Sequence, residues 1–189
     1  MKKLYIQEDL VNLMDAQTYD NVALLGYACT LASNDLHHIH LCAVGDKFQE
    51  IHEDAEKYMD RVQELGDFCF ELAKEGGISL YNETYALDVL KDEGSDWQVA
   101  DKNTYDFIEA YTQISNILSD LCEGIKLVQE TEGIKSDVAS ELDTYLREFT
   151  KDVNYFINKK LYKSEDDILV SGNANESYRK ICKKLKRKD

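Results

Sequence analysis

The sequence contains no proline in 189 residues and only nine glycines. Proline interrupts helices because it has no amide hydrogen and its ring clashes with the preceding turn. Without it, long uninterrupted helices are permitted almost everywhere along this chain. Leu, Glu, Lys and Ala, which all favour helices, are abundant. We therefore expect an all-α protein, and the length fits one domain with its own hydrophobic core.

Apolar residues recur at steps of three and four in four long segments, the spacing that places them on one face of a helix. These segments predict helix A over residues 16–41, helix B over 47–74, helix C over 103–129 and helix D over 136–161. The pattern is clearest in helix B, whose predicted buried seam is Phe48, Ile51, Ala55, Tyr58, Val62, Leu65, Cys69 and Leu72. Gly76 and Gly77 then predict the end of this helix.

A long connection, residues 78–101, separates helix B from helix C. A structureless connection of that length is unusual in a compact domain, so we expect a short crossover helix around residues 83–91. Two long helices, a long crossover and two more long helices are typical of the ferritin-like four-helix bundle, in which one long connection replaces a hairpin. The predicted bundle spans residues 1–161, and residues 162–189 are predicted to form a C-terminal extension.

Charge is distributed unevenly along the chain. The net charge is −15, but the segment Tyr178–Asp189 carries +6, which leaves −21 for the first 177 residues. An acidic body repels nucleic acid, whereas a basic segment of this size can bind phosphates in a salt-dependent way. Two interpretations remain open, a DNA-binding tail and a solvated tail without a partner. The candidate nucleic-acid contacts are Arg179, Lys180, Lys183, Lys184, Lys186, Arg187 and Lys188.

The cysteines and the apolar segments indicate the cellular compartment. The five cysteines are widely separated and form no Cys-x-x-Cys pair, which predicts free thiols in a reducing environment. No apolar run approaches the roughly 20 residues of a membrane-spanning helix, and the N-terminus lacks the apolar stretch of a signal peptide. We expect a soluble cytoplasmic or nucleoid-associated protein without a membrane partner. The cysteines are Cys29, Cys42, Cys69, Cys122 and Cys182.

Four polar residues of helix B share one face. At ~100° per residue, Glu56, Asp67 and Glu71 lie about 40°, 60° and 100° from His52, whereas the seam lies near −100°. The polar face therefore points away from the core of its own chain. A charged, solvated helix face is the simplest interpretation of this pattern. Met59 and Phe70 fall on the same face, however, and two exposed apolar side chains there favour a covered surface.

The spacing along helix B also limits how these residues could act together. His52/Glu56 and Asp67/Glu71 are offset by eleven residues, about 16 Å of helix, so one metal ion cannot contact both pairs in one chain. A second helix B, antiparallel across a two-fold axis near Arg61, would bring each pair opposite the other pair and create two identical sites.

His40, at the end of helix A, could supply the remaining nitrogen ligand of each site. Two imidazoles and three carboxylates suit iron, manganese or zinc better than calcium or magnesium. The absence of thiolates argues against a structural zinc site. Negative ligands also stabilise Fe³⁺ over Fe²⁺, as a site that oxidises Fe²⁺ requires.

These residues also form a recognisable pattern. His40, Gly45, Phe48, His52, Glu56, Tyr58, Asp67 and Glu71 resemble the signature of Dps-like proteins, the miniature ferritins described as DNA-binding proteins from starved cells. The family pattern is a His followed at steps of twelve, four, eleven and four by His, Asp, Asp and Glu. This chain keeps every step, with Glu56 in place of the first Asp.

The resemblance implies a hollow dodecamer built from two-fold dimers, in which Fe²⁺ is oxidised by hydrogen peroxide and stored as a ferric mineral. By position, His40, His52 and Glu56 would be metal ligands and catalytic residues from one subunit, with Asp67 and Glu71 from its partner. Zinc or manganese could take the place of iron.

The sequence also departs from the family pattern. The Trp that often follows the first His is Leu41 here, and the residues flanking the final Glu are Phe70 and Leu72. Whether Tyr58 substitutes for the missing aromatic stays open. His37 and His38 have no place in the pattern.

Two other functions remain as alternatives to a ferroxidase. One is a nucleic-acid-binding protective protein that acts through the basic tail. The other is a structural helical shell with a non-catalytic metal site.

Overall fold

A computed structural model of the protein describes residues 14–161, apart from residues 96 and 98. In this range the α-helices are α1 (Ala16–Cys42), α2 (Phe48–Glu75), α3 (Ala86–Asp92), α4 (Phe107–Gln129) and α5 (Ser136–Tyr155). A 3₁₀ turn, Glu83–Tyr85, precedes α3, and a π-helix, Phe156–Leu161, continues α5. The predicted all-α class and the long crossover with its short helix are confirmed. The C-terminal extension and its basic residues lie outside the described residues.

The core lies between the long helices and follows the predicted seams. The apolar stripe predicted for α1 is buried, and so is the α2 seam from Ile51 to Leu72. The α1 stripe consists of Val22, Leu25, Cys29, Ala32, Leu36 and Ile39. Phe48 is the exception, because its side chain is 45% exposed. As the first residue of α2 it lies about 60° from the centre of the seam and about 40° from His52, so its ring packs against the His52 imidazole instead.

The most extensive helix contact in the described part of the chain is between α1 and α2. Two glycines permit this close approach. A Cβ atom on Gly66 would lie 3.1 Å from the Cβ of Cys29, and one on Gly26 would lie 2.7 Å from the ring of Phe70. The small residues therefore set the distance between the two helices that carry the candidate ligands.

The helical wheel predicted that Phe70 and Met59 are exposed on the surface of a single chain, and the structure contradicts this. Both are half-buried. The Phe70 ring packs edge-on against Tyr27 of α1, with ring centroids 5.1 Å apart, in a small cluster that includes Ala86 and Leu90 of α3. The crossover helix of the same chain thus covers Phe70, whereas Met59 packs against the main core. The two apolar residues therefore do not by themselves require a second chain.

Helix α4 begins at Phe107, four residues later than predicted. The segment before it is extended, because Tyr105 pairs with the turn after α1 through Val44 N–H to Tyr105 O (2.9 Å) and Tyr105 N–H to Cys42 O (2.8 Å). Asp106 and Glu109 then form a reciprocal capping box that starts the helix.

The end of α5 is fixed to α2 by a buried cation. Lys160 contacts Glu50 at 2.9 Å and Asp54 at 2.6 Å, and it also donates to the hydroxyl of Tyr111. Burial lowers the pKa of Lys160, but the hydrogen bonds to both carboxylates outweigh it and the pKa is raised. Burial, reinforced by the hydrogen bond to Asp54, raises the pKa of Tyr111.

The cysteines of the described residues form no disulfide bonds. Cys29, Cys69 and Cys122 are buried free thiols and Cys42 is a half-buried one, as predicted. Burial raises the pKa of Cys29, which makes this thiol unreactive. No helix in the described range is long and apolar enough to cross a membrane.

Candidate metal centre

His40 and His52 lie together at the turn between α1 and α2. His40 is in the last turn of α1, and His52 is in the second turn of α2. Their rings are stacked, with centroids 3.6 Å apart and an interplanar angle of 25°. The chain reverses direction through Gly45, whose φ of 92° lies in the left-handed region that glycine adopts without strain.

Reciprocal hydrogen bonds hold the two imidazoles. Nδ1 of His40 lies 3.1 Å from the backbone oxygen of His52, and Nδ1 of His52 lies 3.2 Å from the backbone oxygen of His40. A carbonyl oxygen can only accept, so each Nδ1 must carry the hydrogen. In the neutral ring this leaves the lone pair on Nε2. Metal-binding histidines typically have this arrangement, in which a backbone carbonyl fixes the tautomer and the ring orientation.

The carboxylates lie apart from the imidazole pair in two groups. Glu56 is exposed one helical turn after His52, whereas Asp67 and Glu71 are exposed three to four turns further along α2. Within the described residues, no three His, Cys, Asp or Glu side chains come together in an arrangement that could hold a metal ion. One chain therefore presents the predicted ligands as separate groups along one helix.

A pocket of about 400 Å³ adjoins the Asp67/Glu71 group. One wall is the crossover segment, which is attached to α1 because the buried hydroxyl of Tyr27 accepts from the amide of Tyr81 and donates to its carbonyl. Burial raises the pKa of Tyr27. The pocket is lined by Asp67, Phe70, Glu71, Lys74, Leu80, Tyr81 and Glu83.

The crossover wall of this pocket was not predicted from the sequence. Tyr81 lies in an irregular segment after the glycines that end α2, and Glu83 begins the 3₁₀ turn, so no helical spacing links them to Asp67. The nearest signal was the abundance of apolar residues in the connection, which indicated packing without naming a partner.

Tyr58, whose role as a substitute aromatic was left open by the sequence, does not face the imidazole pair. Tyr58 is on the buried seam of α2, where its hydroxyl donates to Asp152 at 2.7 Å. Burial, together with this hydrogen bond, raises its pKa. The aromatic ring that lies beside the imidazole pair is instead that of Phe48, whose centroid is 5.3 Å from that of His52. Leu41, which follows His40, is 65% exposed.

The two remaining histidines have different surroundings. The exposed ring of His37 lies 6.0 Å from that of His40, centroid to centroid. His38 Nε2 donates to the backbone oxygen of Lys102 at 2.7 Å, which attaches α1 to the segment before α4. His38 thus has a structural contact, whereas His37 lies at the edge of the imidazole pair.

Two solved structures resemble this fold. Antigen TpF1 from Treponema pallidum matches with a TM-score of 0.67 and 16% identity, over 80% of this chain and 98% of that one. Dps from Mycobacterium smegmatis matches with a TM-score of 0.60 and 19% identity, over 75% of this chain and 88% of that one. This chain has the ferritin-like four-helix bundle fold. No protein-family model matches the sequence, and no similar curated protein was found. The likeness therefore establishes the ferritin-like fold alone.

Proposed function

We propose that the protein is a ferroxidase that oxidises Fe²⁺ with hydrogen peroxide at sites shared between two copies of the chain and stores the ferric product. Fe²⁺ is the substrate. Each peroxide takes one electron from each of two ferrous ions and, with two protons, gives two waters.

The observation that carries this proposal is the reciprocal hydrogen bonding of His40 and His52. Their Nδ1 atoms are occupied by carbonyl oxygens, which leaves Nε2 as the lone-pair donor on both rings. Two oriented neutral imidazoles are ligands for iron, zinc or manganese rather than for calcium or magnesium. The tautomers are set by the fold before any ion arrives.

The carboxylates supply the charge that the reaction requires. Glu56, Asp67 and Glu71 together bring three negative charges to the site, and these interact more strongly with Fe³⁺ than with Fe²⁺. Since Asp67 lies about 16 Å and Glu71 about 22 Å along α2 from Glu56, they reach the site of a second, antiparallel copy rather than their own. The pocket beside them, which is open in one chain, is where the imidazole pair of that copy would lie.

Assembly into a homo-oligomer of two-fold dimers belongs to this proposal, and the family resemblance suggests a dodecamer. The comparison with Mycobacterium smegmatis Dps supports the fold on which such an assembly depends. DNA binding through the basic tail remains a separate prediction.

Subunit complementation tests the shared site. The variants His52→Ala and Asp67→Ala should each be inactive when peroxide is added to the anaerobic Fe²⁺-loaded protein, because each lacks one ligand in every site. When they are co-expressed, a mixed dimer has one intact site and one doubly defective site. Random pairing should therefore restore about a quarter of the wild-type sites, measured as ferric absorbance.

Three results would contradict the proposal in different ways. No recovery in the co-expressed sample, with an active wild type, would exclude a shared site. Wild-type oxidation no faster than that of a His52→Ala/Asp67→Ala double variant would exclude the ferroxidase. Bound zinc in the purified protein, together with no iron oxidation, would favour a non-catalytic metal site.

A further inference from the structure

The outward face of α2 is strongly acidic. Seven exposed carboxylates follow this helix at steps of three and four residues, so they form one continuous stripe over about six turns. Three of them are the candidate ligands, and the other four border these. The stripe consists of Glu53, Glu56, Asp60, Glu64, Asp67, Glu71 and Glu75.

The basic residues of α2 do little to neutralise this stripe. Arg61 binds Glu148 of α5 at 2.9 Å and reaches only one member of the stripe, Glu64, at 2.6 Å. Lys57 contacts Asp152 of α5 at 3.6 Å. Lys74, beside the pocket, is the cation of α2 that lies nearest the candidate ligands on the helical wheel, about 40° from His52.

A self-complementary contact brings this face against a copy of itself. With the two-fold axis near Arg61 and Val62, Glu56 of one chain faces Asp67 of the other, and each shared site collects three carboxylates and two imidazoles. Like charges placed together at an interface oppose association, and the exclusion of water between the chains strengthens the repulsion. A divalent ion at each site would replace this repulsion with attraction.

We propose that association of two chains through α2 is coupled to divalent cation binding, so that the metal is a counter-charge required for assembly as well as a substrate. This inference rests on the proposed shared site. By linkage, if association of the two chains raises the affinity for the metal by some factor, bound metal raises the affinity of the two chains for each other by the same factor. The acidic ligands thus regulate assembly, since they keep metal-free chains apart and join metal-loaded ones.

Charge repulsion between the two α2 faces predicts a result that a purely structural role of the carboxylates does not. In the variant Glu56→Gln/Asp67→Asn/Glu71→Gln, metal binding is lost but so is the repulsion. This variant should therefore associate without metal. If the carboxylates only contributed packing or direct contacts, the same substitutions would weaken association under every condition.

The test is sedimentation velocity of the full-length chain over a concentration series, once in EDTA and once with Co²⁺. Co²⁺ is chosen as the divalent ion because it is not oxidised in buffer without peroxide. For the wild type, Co²⁺ should lower the concentration for half-association at least about tenfold. In EDTA, about 0.5 M NaCl should partly substitute for the metal, because salt screens exposed charges. The triple variant should associate equally in EDTA and Co²⁺.

The matched control removes the same number of charges elsewhere. Glu130, Glu132 and Glu141 are exposed residues near the α4–α5 turn and in α5. Their Gln variants should behave like the wild type. If these control variants associate in EDTA to the same extent as the triple variant, the net charge of the chain, and not the charge of the α2 face, controls association, and the proposal fails.

Other outcomes separate this inference from the proposed function. Equal wild-type association in EDTA and in Co²⁺ would overturn the metal coupling and leave the shared site standing. A triple variant that remains dissociated in EDTA, with a wild-type circular dichroism spectrum, would overturn the charge explanation. A wild type that never associates would overturn the shared site itself.

Discussion

The ammonium of Lys160 lies 2.6 Å from Oδ2 of Asp54, which connects the last described turn of the chain to the second turn of α2. The Lys160 side chain is only 9% exposed, and Glu50 and the Tyr111 hydroxyl are its other partners. Lys160 lies in the π-helix that continues α5.

Replacing Lys160 with Met should destabilise the fold by about 2 kcal/mol, since it leaves two carboxylates without their cation while keeping most of the apolar stem. This expected loss of stability is smaller than the loss from breaking a fully buried ion pair, because both carboxylates are partly exposed to water. Urea unfolding at neutral pH measures the change. The control is Lys159, the exposed residue next to Lys160. Lys159→Met should change the free energy of unfolding by less than about 0.5 kcal/mol. Equal effects of the two substitutions would contradict the role given to Lys160.

Glu50 should make stability depend on acid pH. Its hydrogen bond to Lys160 holds its pKa below the ordinary value of 4.5. A carboxyl with a lowered folded-state pKa stabilises the protein above its unfolded-state pKa, and this contribution is lost as the pH falls through the folded-state value. The stability difference between wild type and Glu50→Gln should therefore be present at about pH 6 and shrink towards about pH 3. Urea titrations at both pH values test this, and a difference that grows on acidification would have the wrong sign.

Gly26 should not tolerate alanine, although alanine favours helices. The added Cβ would lie 2.7 Å from the ring of Phe70, so the ring or the α1–α2 distance must shift. The expected cost of about 1–3 kcal/mol exceeds the gain of about 1 kcal/mol from helix propensity. At Gly124 a Cβ would meet only a terminal methyl of Leu25, at 3.1 Å. Gly124→Ala should therefore be neutral or stabilising in thermal unfolding, and a Gly26→Ala protein as stable as that control would refute the argument.

The basic segment Tyr178–Asp189 is expected to confer all of any DNA binding. It carries +6 against −21 on the rest of the chain, so only this segment can offset the repulsion between the body and DNA. In a gel-retardation assay the full-length protein should shift duplex DNA at low salt and progressively less as salt rises. Deletion of the segment should abolish the shift. A shift that survives the deletion would place DNA binding elsewhere on the molecule.

Much of the bundle was predictable because burial follows helical periodicity. The predicted ends of α1 and α2 agree with the structure within one residue, and the glycines after α2 correctly marked its end. The predicted start of α4 was wrong because Tyr105 pairs with residues 42–44 at the end of α1, a contact between residues more than 60 positions apart that periodicity cannot register. The capping residues Asp106 and Glu109 were a local signal that could have corrected it.

The sequence predicted which residues of the candidate site share a helix face, but not how their side chains are arranged in space. Helical arithmetic places His52 and the carboxylates on one side of α2, and this requires no knowledge of the other helices. The reciprocal bonding of His40 and His52 depends on how α1 and α2 are joined through Gly45. The covering of Phe70 by α3 depends on tertiary packing in the crossover, where the sequence has no regular period.

The pairing of residues 42–44 with Tyr105 has a topological consequence. It closes the chain between these points into a ring that contains α2, the crossover and α3. Every candidate ligand except His40 lies inside this ring, and His40 lies just before its closure. Because the closure lies beside the turn between α1 and α2, it holds the end of α1 that carries His40 against the segment before α4. A change in the length of the crossover would therefore act first on the pocket wall beside Asp67 and not on the imidazole pair.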